Sequence, residues 1–222
     1  MSFLDKSTFI KAGDTLFIVI NFNKMYPLKV KEGEVFQTKF GPVKHSELIG
    51  IRYGSKVNLS RGWVYVLSFT PELWTINLPH RTQILYSTDI SLITFKLNLK
   101  PGSIVVESGT GSGSLSHAII RTIAPHGLLY TFDFHEERVK KASQEFEEHG
   151  VSSLVRAGRR DVCEEGFGLD GVADAVFLDI PYPWRAINFA WKALKSQGKS
   201  NPISNRFSST HISPIDSGVV LC

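Results

Sequence analysis

The hydrophobic pattern divides the chain into two parts. Over the first 70 residues, short runs rich in β-branched and aromatic residues predict strands at 15–22, 26–31, 34–40, 55–59 and 63–69. Gly33, Gly41-Pro42, Gly50, Gly54 and Gly62 separate them. Five short strands at this spacing predict a small antiparallel barrel as an N-terminal β-domain over 1–70. Residues 71–79 (PELWTINLP) predict a connector with a short helix. Ser87 or Thr88 is placed to cap a helix that ends at Pro101-Gly102.

From there the pattern alternates. An apolar strand at 103–107 leads into glycines at 109–113, and a helix at 115–124 stops at Pro125 and Gly127. A strand at 128–133 precedes an amphipathic helix at 135–149. Further strands are predicted at 154–157 and 173–179, and a helix at 184–195. Repeated strand–helix units predict an α/β fold with a parallel sheet over 71–198. Residues 199–222 hold six Ser and two Pro without a period of 2 or 3.6, and are expected to form a disordered tail.

Composition narrows this picture without changing it. With 42% hydrophobic and 21% charged residues, the chain is neither disordered nor fibrous. No apolar run of 18 residues exists, so no membrane-spanning helix is expected, and the charged start argues against a signal peptide. The two cysteines, Cys163 and Cys222, form no CxxC, and no HExxH occurs. Neither a disulfide scaffold nor a metal site is expected, and a reducing intracellular compartment is. Residues 1–79 carry ten Lys/Arg against six Asp/Glu, whereas residues 80–198 carry 13 against 14. A basic module beside a near-neutral one suggests that the first grips a polyanion and the second does chemistry.

The candidate chemistry lies at the strand ends. Glu107-Ser-Gly109-Thr-Gly111-Ser-Gly113-Ser114 follows a strand and precedes a helix, where a nucleotide-binding loop belongs. No GK[ST] follows, which excludes a P-loop. Ser114 occupies the place of the last glycine in the dinucleotide fingerprint, and Glu107 repels a pyrophosphate, so a nicotinamide cofactor is disfavoured. A carboxylate before the glycines suits a ligand with an ammonium group, such as S-adenosylmethionine. Asp133, 24 residues after Gly109, ends the second strand and is placed for ribose hydroxyls. Asp161 follows the third strand and is placed for the adenine amine, and Asp179 ends the fourth. In Asp179-Ile-Pro-Tyr182-Pro-Trp184 the prolines stiffen the chain, and the two aromatics could stack on a base. His80, His117 and His135 read as core or surface residues. Trp63, Tyr65 and Trp74 read as core, and Arg159-Arg160 as a solvated loop or a phosphate contact.

The stretches PELWTINLPHRTQILYSTDISLI, ESGTGSGSLSHAIIRTIAP and DAVFLDIPYPW resemble the eukaryotic tRNA adenine-N1-methyltransferase catalytic subunits from Met1 to about Gly198. The resemblance implies a Rossmann-like domain after a small β-domain, with S-adenosylmethionine as donor and N1 of tRNA adenine 58 as acceptor. It also implies a noncatalytic paralogous subunit, assembled two plus two, and a nuclear location. It places cofactor contacts on Leu85, Ser112, Gly113, Ser114, Leu115, Asp133, Arg138, Asp161, Val162 and Asp179. Asp133 stands where the family more often has Glu. Beyond 198 the chain leaves the family pattern, which implies a truncated or alternatively spliced form with an incomplete sheet and an exposed sheet edge. An inactive interaction protein for the partner subunit is the alternative that this implies.

Overall fold

The computed structural model describes residues 7–78, 84–195, 213–215 and 219–221. The chain divides into two compact units, one of residues 1–79 with 148–150, the other of 80–147 with 151–222.

The first unit contains β1 (Thr15–Asn21), β2 (Lys24–Lys29), β3 (Val35–Thr38), β4 (Gly41–Lys44), α1 (His45–Leu48), β5 (Lys56–Leu59), β6 (Gly62–Ser68) and α2 (Pro71–Asn77). β2, β1, β6 and β5 form one antiparallel sheet in that order, and β3 and β4 form a separate hairpin. This corrects the expected five-stranded barrel. The additional strand is β4, hidden because Gly41-Pro42 reads as a break. In the structure Lys39 and Phe40 make the turn, Gly41 opens β4 opposite Thr38 at φ +125°, and Pro42 sits opposite Gln37 in the hairpin. Alternation along β6 buries Val64 and Val66 among Ile18, Val43 and Leu48. It turns Trp63 and Tyr65 outward, 40% and 39% exposed, with their rings edge to face at 5.0 Å. The core role expected of these two is therefore wrong, while Trp74 is buried as expected. Thr70 caps α2, its Oγ1 accepting from the Leu73 N–H at 3.2 Å.

The second unit contains α3 (Ser87–Lys96), β7 (Ile104–Ser108), α4 (Ser114–Ile123), β8 (Leu128–Asp133), α5 (Glu136–Glu148), a 3₁₀ turn (Ser152–Leu154), β9 (Val155–Arg159), β10 (Ala175–Leu178), α6 (Pro183–Ala193), β11 (Ser213–Ile215) and β12 (Val219–Leu221). Tyr86, not Ser87 or Thr88, holds the capping position of α3, and no side chain caps that helix. The sheet runs β11-β12-β10-β7-β8-β9, with β12, β10, β7, β8 and β9 parallel and β11 antiparallel to β12. β10 is buried along its whole length, the mark of a strand covered on both faces. α6 brings Ala186, Ala190 and Ala193 to the core, together with Val106 and Leu178 of the sheet. Side chains that small let a helix lie close to a sheet.

The chain runs outward from β7 to β8 and β9, then returns to place β10 on the other side of β7. Strand order reverses at β7, and in open parallel sheets the ligand crevice lies at that reversal, beyond the strand carboxyl ends. β12 pairs with β10 in the register Val176 to Val219. The edge of β10 expected to be bare is therefore paired, and two strands lie in a stretch expected to have none. The Ser- and Pro-rich average of 199–222 masks the short apolar run Val219-Val220-Leu221.

Candidate functional site

The reversal point puts the expected residues within one constellation. Gly109 donates its N–H to Phe132 O at 2.8 Å, and Asp179 donates its N–H to Ser108 O at 2.8 Å, so the ends of β7, β8 and β10 are tied together. Gly109 has φ +98°, and a Cβ there would overlap the Asp179 carbonyl. Only glycine permits this approach. Gly113 takes the left-handed conformation at the capping position of α4, at φ +73°.

Asp133 organises the loop. It is 4% exposed, and each of its oxygens accepts a backbone N–H: Oδ2 from Gly111 at 3.0 Å, Oδ1 from His135 at 2.9 Å. Arg138 lies 3.8 Å from Oδ1. A carboxylate oxygen has two lone pairs, so Asp133 keeps acceptor capacity for ribose hydroxyls. Asp161 accepts from the Cys163 N–H at 3.0 Å, which bends its loop. Asp179 is exposed, and partial burial against the strand ends raises its carboxyl above the usual range. It is not a helix cap, because α6 begins four residues later at Pro183. Tyr182 and Trp184 are both more than half exposed, with their rings edge to face at 5.5 Å.

Several expected contacts take a different form. Glu107 does not face a ligand ammonium: it is 1% exposed, and Oε2 accepts from Ser116 Oγ at 2.6 Å. Desolvation raises its carboxyl to about 7, against the hydrogen bonds of Ser116 and Thr131, and Asp179 and Asp133 add repulsion. Ser114 is buried and donates to Leu85 O at 2.9 Å, which ties the chain before α3 to the start of α4. Leu85 thus reaches the loop through its backbone. Val162 packs in the core, and the Leu115 side chain is buried. Ser112 is partly exposed within the loop.

Three supporting residues, Ser116, Thr131 and Thr110, escape the sequence, and a fourth, His117, lies in the core as expected. Ser116 holds Glu107, and Thr131 and Thr110 bond to each other through their hydroxyls at 2.7 Å. His117 is fully buried and donates from Nδ1 to Gly113 O at 2.7 Å, while desolvation lowers its imidazolium to about 4. The visible signal was a set of polar residues in otherwise apolar elements, Ser116-His117 in SLSHAII and Thr131 in LLYTFD. Arg159 lies over the exposed Phe134 ring at 5.6 Å, an aromatic contact that the loop-or-phosphate reading did not anticipate. His80 lies outside the described residues.

Glu107 and His117 give opposite pH dependences. Between about 4.5 and about 7 the folded chain keeps a proton on Glu107 that the unfolded chain has lost, so stability falls as pH rises. Between about 4 and 6.5 the unfolded chain binds a proton that buried His117 refuses, so stability rises with pH. Each slope reaches at most about 1.4 kcal/mol per pH unit, and the two oppose across their overlap. Relative to wild type, Glu107→Gln should gain a rising slope there and His117→Gln a falling one. Urea midpoints measured at several pH values check this, and slopes identical to wild type in both variants would refute it.

A parallel sheet reversing at its glycine-loop strand, with carboxylates ending the neighbouring strands, is the layout of Rossmann-like methyltransferases, and this chain has that fold. It is similar to an S-adenosylmethionine-dependent O-methyltransferase from Thermotoga maritima, with TM-score 0.75 and 26% identity over 88% of this chain and 73% of that one. It is also similar to the tRNA (m1A58) methyltransferase TrmI from Aquifex aeolicus, with TM-score 0.67 and 26% identity over 84% of this chain and 72% of that one.

Residues 62–205 match the family described as tRNA methyltransferase complex GCD14 subunit, and the chain belongs to that family. Relatives include the tRNA (adenine(58)-N(1))-methyltransferase catalytic subunits of Dictyostelium discoideum and Candida albicans. The first is 48% identical over 84% of this chain and 62% of its own length, the second 44% identical over 84% and 57%. The chain spans about half the length of the curated relatives it matches.

Proposed function

We propose that this chain carries the catalytic site of a methyltransferase that uses S-adenosylmethionine to methylate N1 of adenine 58 in tRNA. We further propose that it works in the nucleus with a noncatalytic paralogous subunit, two copies of each. The observation that carries the reading is the Asp133–Gly111 contact at the sheet reversal, with Asp179 tied to the same strand end. The names of the relatives support the acceptor. The residues fit the cofactor, because the glycines leave backbone bare at the crevice and aspartates stand at or just past the carboxyl ends of β8, β9 and β10.

S-adenosylmethionine supplies the methyl group. Asp133 holds the ribose through its free lone pairs, and Asp161 takes the adenine amine. Tyr182 and Trp184 offer exposed ring faces to the target base. Adenine N1 is a poor nucleophile, so holding it in line supplies most of the rate. Asp179 orients the base, or accepts a proton from the adenine N6 amine directly or through water as N1 attacks, a role suited to a carboxyl already raised by burial.

Asp179→Asn should lower methyl transfer to unmodified tRNA by about 10²-fold or more while changing cofactor affinity only a few-fold. A labelled-methyl assay on the complex assembled with its partner subunit reads the first quantity, and calorimetry the second. Equal turnover in wild type and variant would remove Asp179 from the chemistry.

A further inference from the structure

Glu107 is fully buried, and among the described residues no Lys or Arg pairs with it. From β8 and from the end of β10 it faces the carboxylates Asp133 and Asp179. From α4 it meets only the Ser116 hydroxyl, since neighbouring His117 is engaged with Gly113 O and is held neutral. The nearby Arg138 pairs with Asp133. The remaining partner of Glu107 is Thr131, opposite it in the β7–β8 register. Thr131 in turn bonds Thr110, which lies between Gly109 and Gly111 in the loop.

This chain of hydroxyls can run in either direction. With Glu107 neutral, its O–H donates to Thr131, which donates to Thr110. With Glu107 ionised, Thr110 donates to Thr131, which donates to the carboxylate. The protonation state of a buried group is thereby written into the loop that meets the ligand.

We propose that Glu107 is protonated in the free site and releases its proton to solvent when S-adenosylmethionine binds, so that cofactor binding and Glu107 ionisation are coupled. The inference rests on the cofactor reading above. The ligand places positive charge at the crevice beside Asp133 and Asp179, and that charge favours the ionised form of buried Glu107 without touching it. Reciprocity then requires that deprotonation tighten binding.

The test is calorimetric titration of the chain with S-adenosylmethionine near pH 6, in two buffers of different ionisation enthalpy, repeated across a pH series. Wild type should release close to one proton per site. Its affinity should rise by up to about tenfold per pH unit through the titration range of Glu107 and level off above it. Glu107→Gln should bind with no proton release and no such rise. Wild-type binding without proton exchange, or release that persists in Glu107→Gln, overturns the coupling. Absence of binding by wild type overturns the cofactor reading and the coupling with it. The wild-type pH series decides the matter even if the variant fails to fold.

Discussion

Gly109→Ala is expected to lower the melting temperature by about 10 °C or more and to abolish cofactor binding, while Gly102→Ala costs only a few degrees. Both glycines have positive φ, +98° and +89°, so both alanines carry the left-handed penalty of about 1–2 kcal/mol. Around Gly102 a Cβ would meet nothing within 4 Å. At Gly109 it meets the Asp179 carbonyl, which is backbone and cannot rotate aside. Relief requires parting β7 from the end of β10, with loss of the Asp179 N–H bond to Ser108 O. The difference between the two variants isolates that steric conflict from backbone strain. Equal melting temperatures would mean that the strand ends are free to separate.

Asp133→Ala should weaken binding of S-adenosylhomocysteine by about 100-fold or more. The alanine leaves the Gly111 and His135 N–H groups without acceptors, at about 1–3 kcal/mol for each that stays buried. The loop then has no fixed conformation for the ligand, and the ribose acceptor is gone as well. Asp133→Asn should fail nearly as badly, because both oxygens accept backbone N–H groups and one would be replaced by a donor. Calorimetry on the two variants tests this. Affinity within threefold of wild type in Asp133→Ala would show that Gly111 is held by other means.

The parallel sheet, its glycine loop and the strand-end carboxylates were legible because each depends on local sequence. Glycine spacing, apolar runs and the residue closing each strand are all read within a few positions. What escaped depends on pairing between distant segments. Glu107 looked like a ligand contact because its partners, Ser116 and Thr131, become visible only once α4 packs on β7 and the β7–β8 register is known. Trp63 and Tyr65 looked like core because large aromatics usually are. Their outward face is fixed by the inward face of Val64 and Val66. The strand β12 was hidden by composition averaged over 24 residues.

The placement of β10 beside β7 has a consequence for how the site comes into being. The Asp179–Ser108 bond spans 71 residues of chain, and β8, α5 and β9 lie in between. Closing so long a loop is among the slower events of folding, since its entropy is lost before the contact repays it. Asp179 follows the loop at 109–113 and Asp133 along the chain, so a chain in which β10 has not docked has the first wall of the site without the second. A ligand that needs both walls captures only chains in which β10 has docked. Added during refolding, it should slow unfolding of the finished sheet while leaving the rate at which β7, β8 and β9 first associate unchanged.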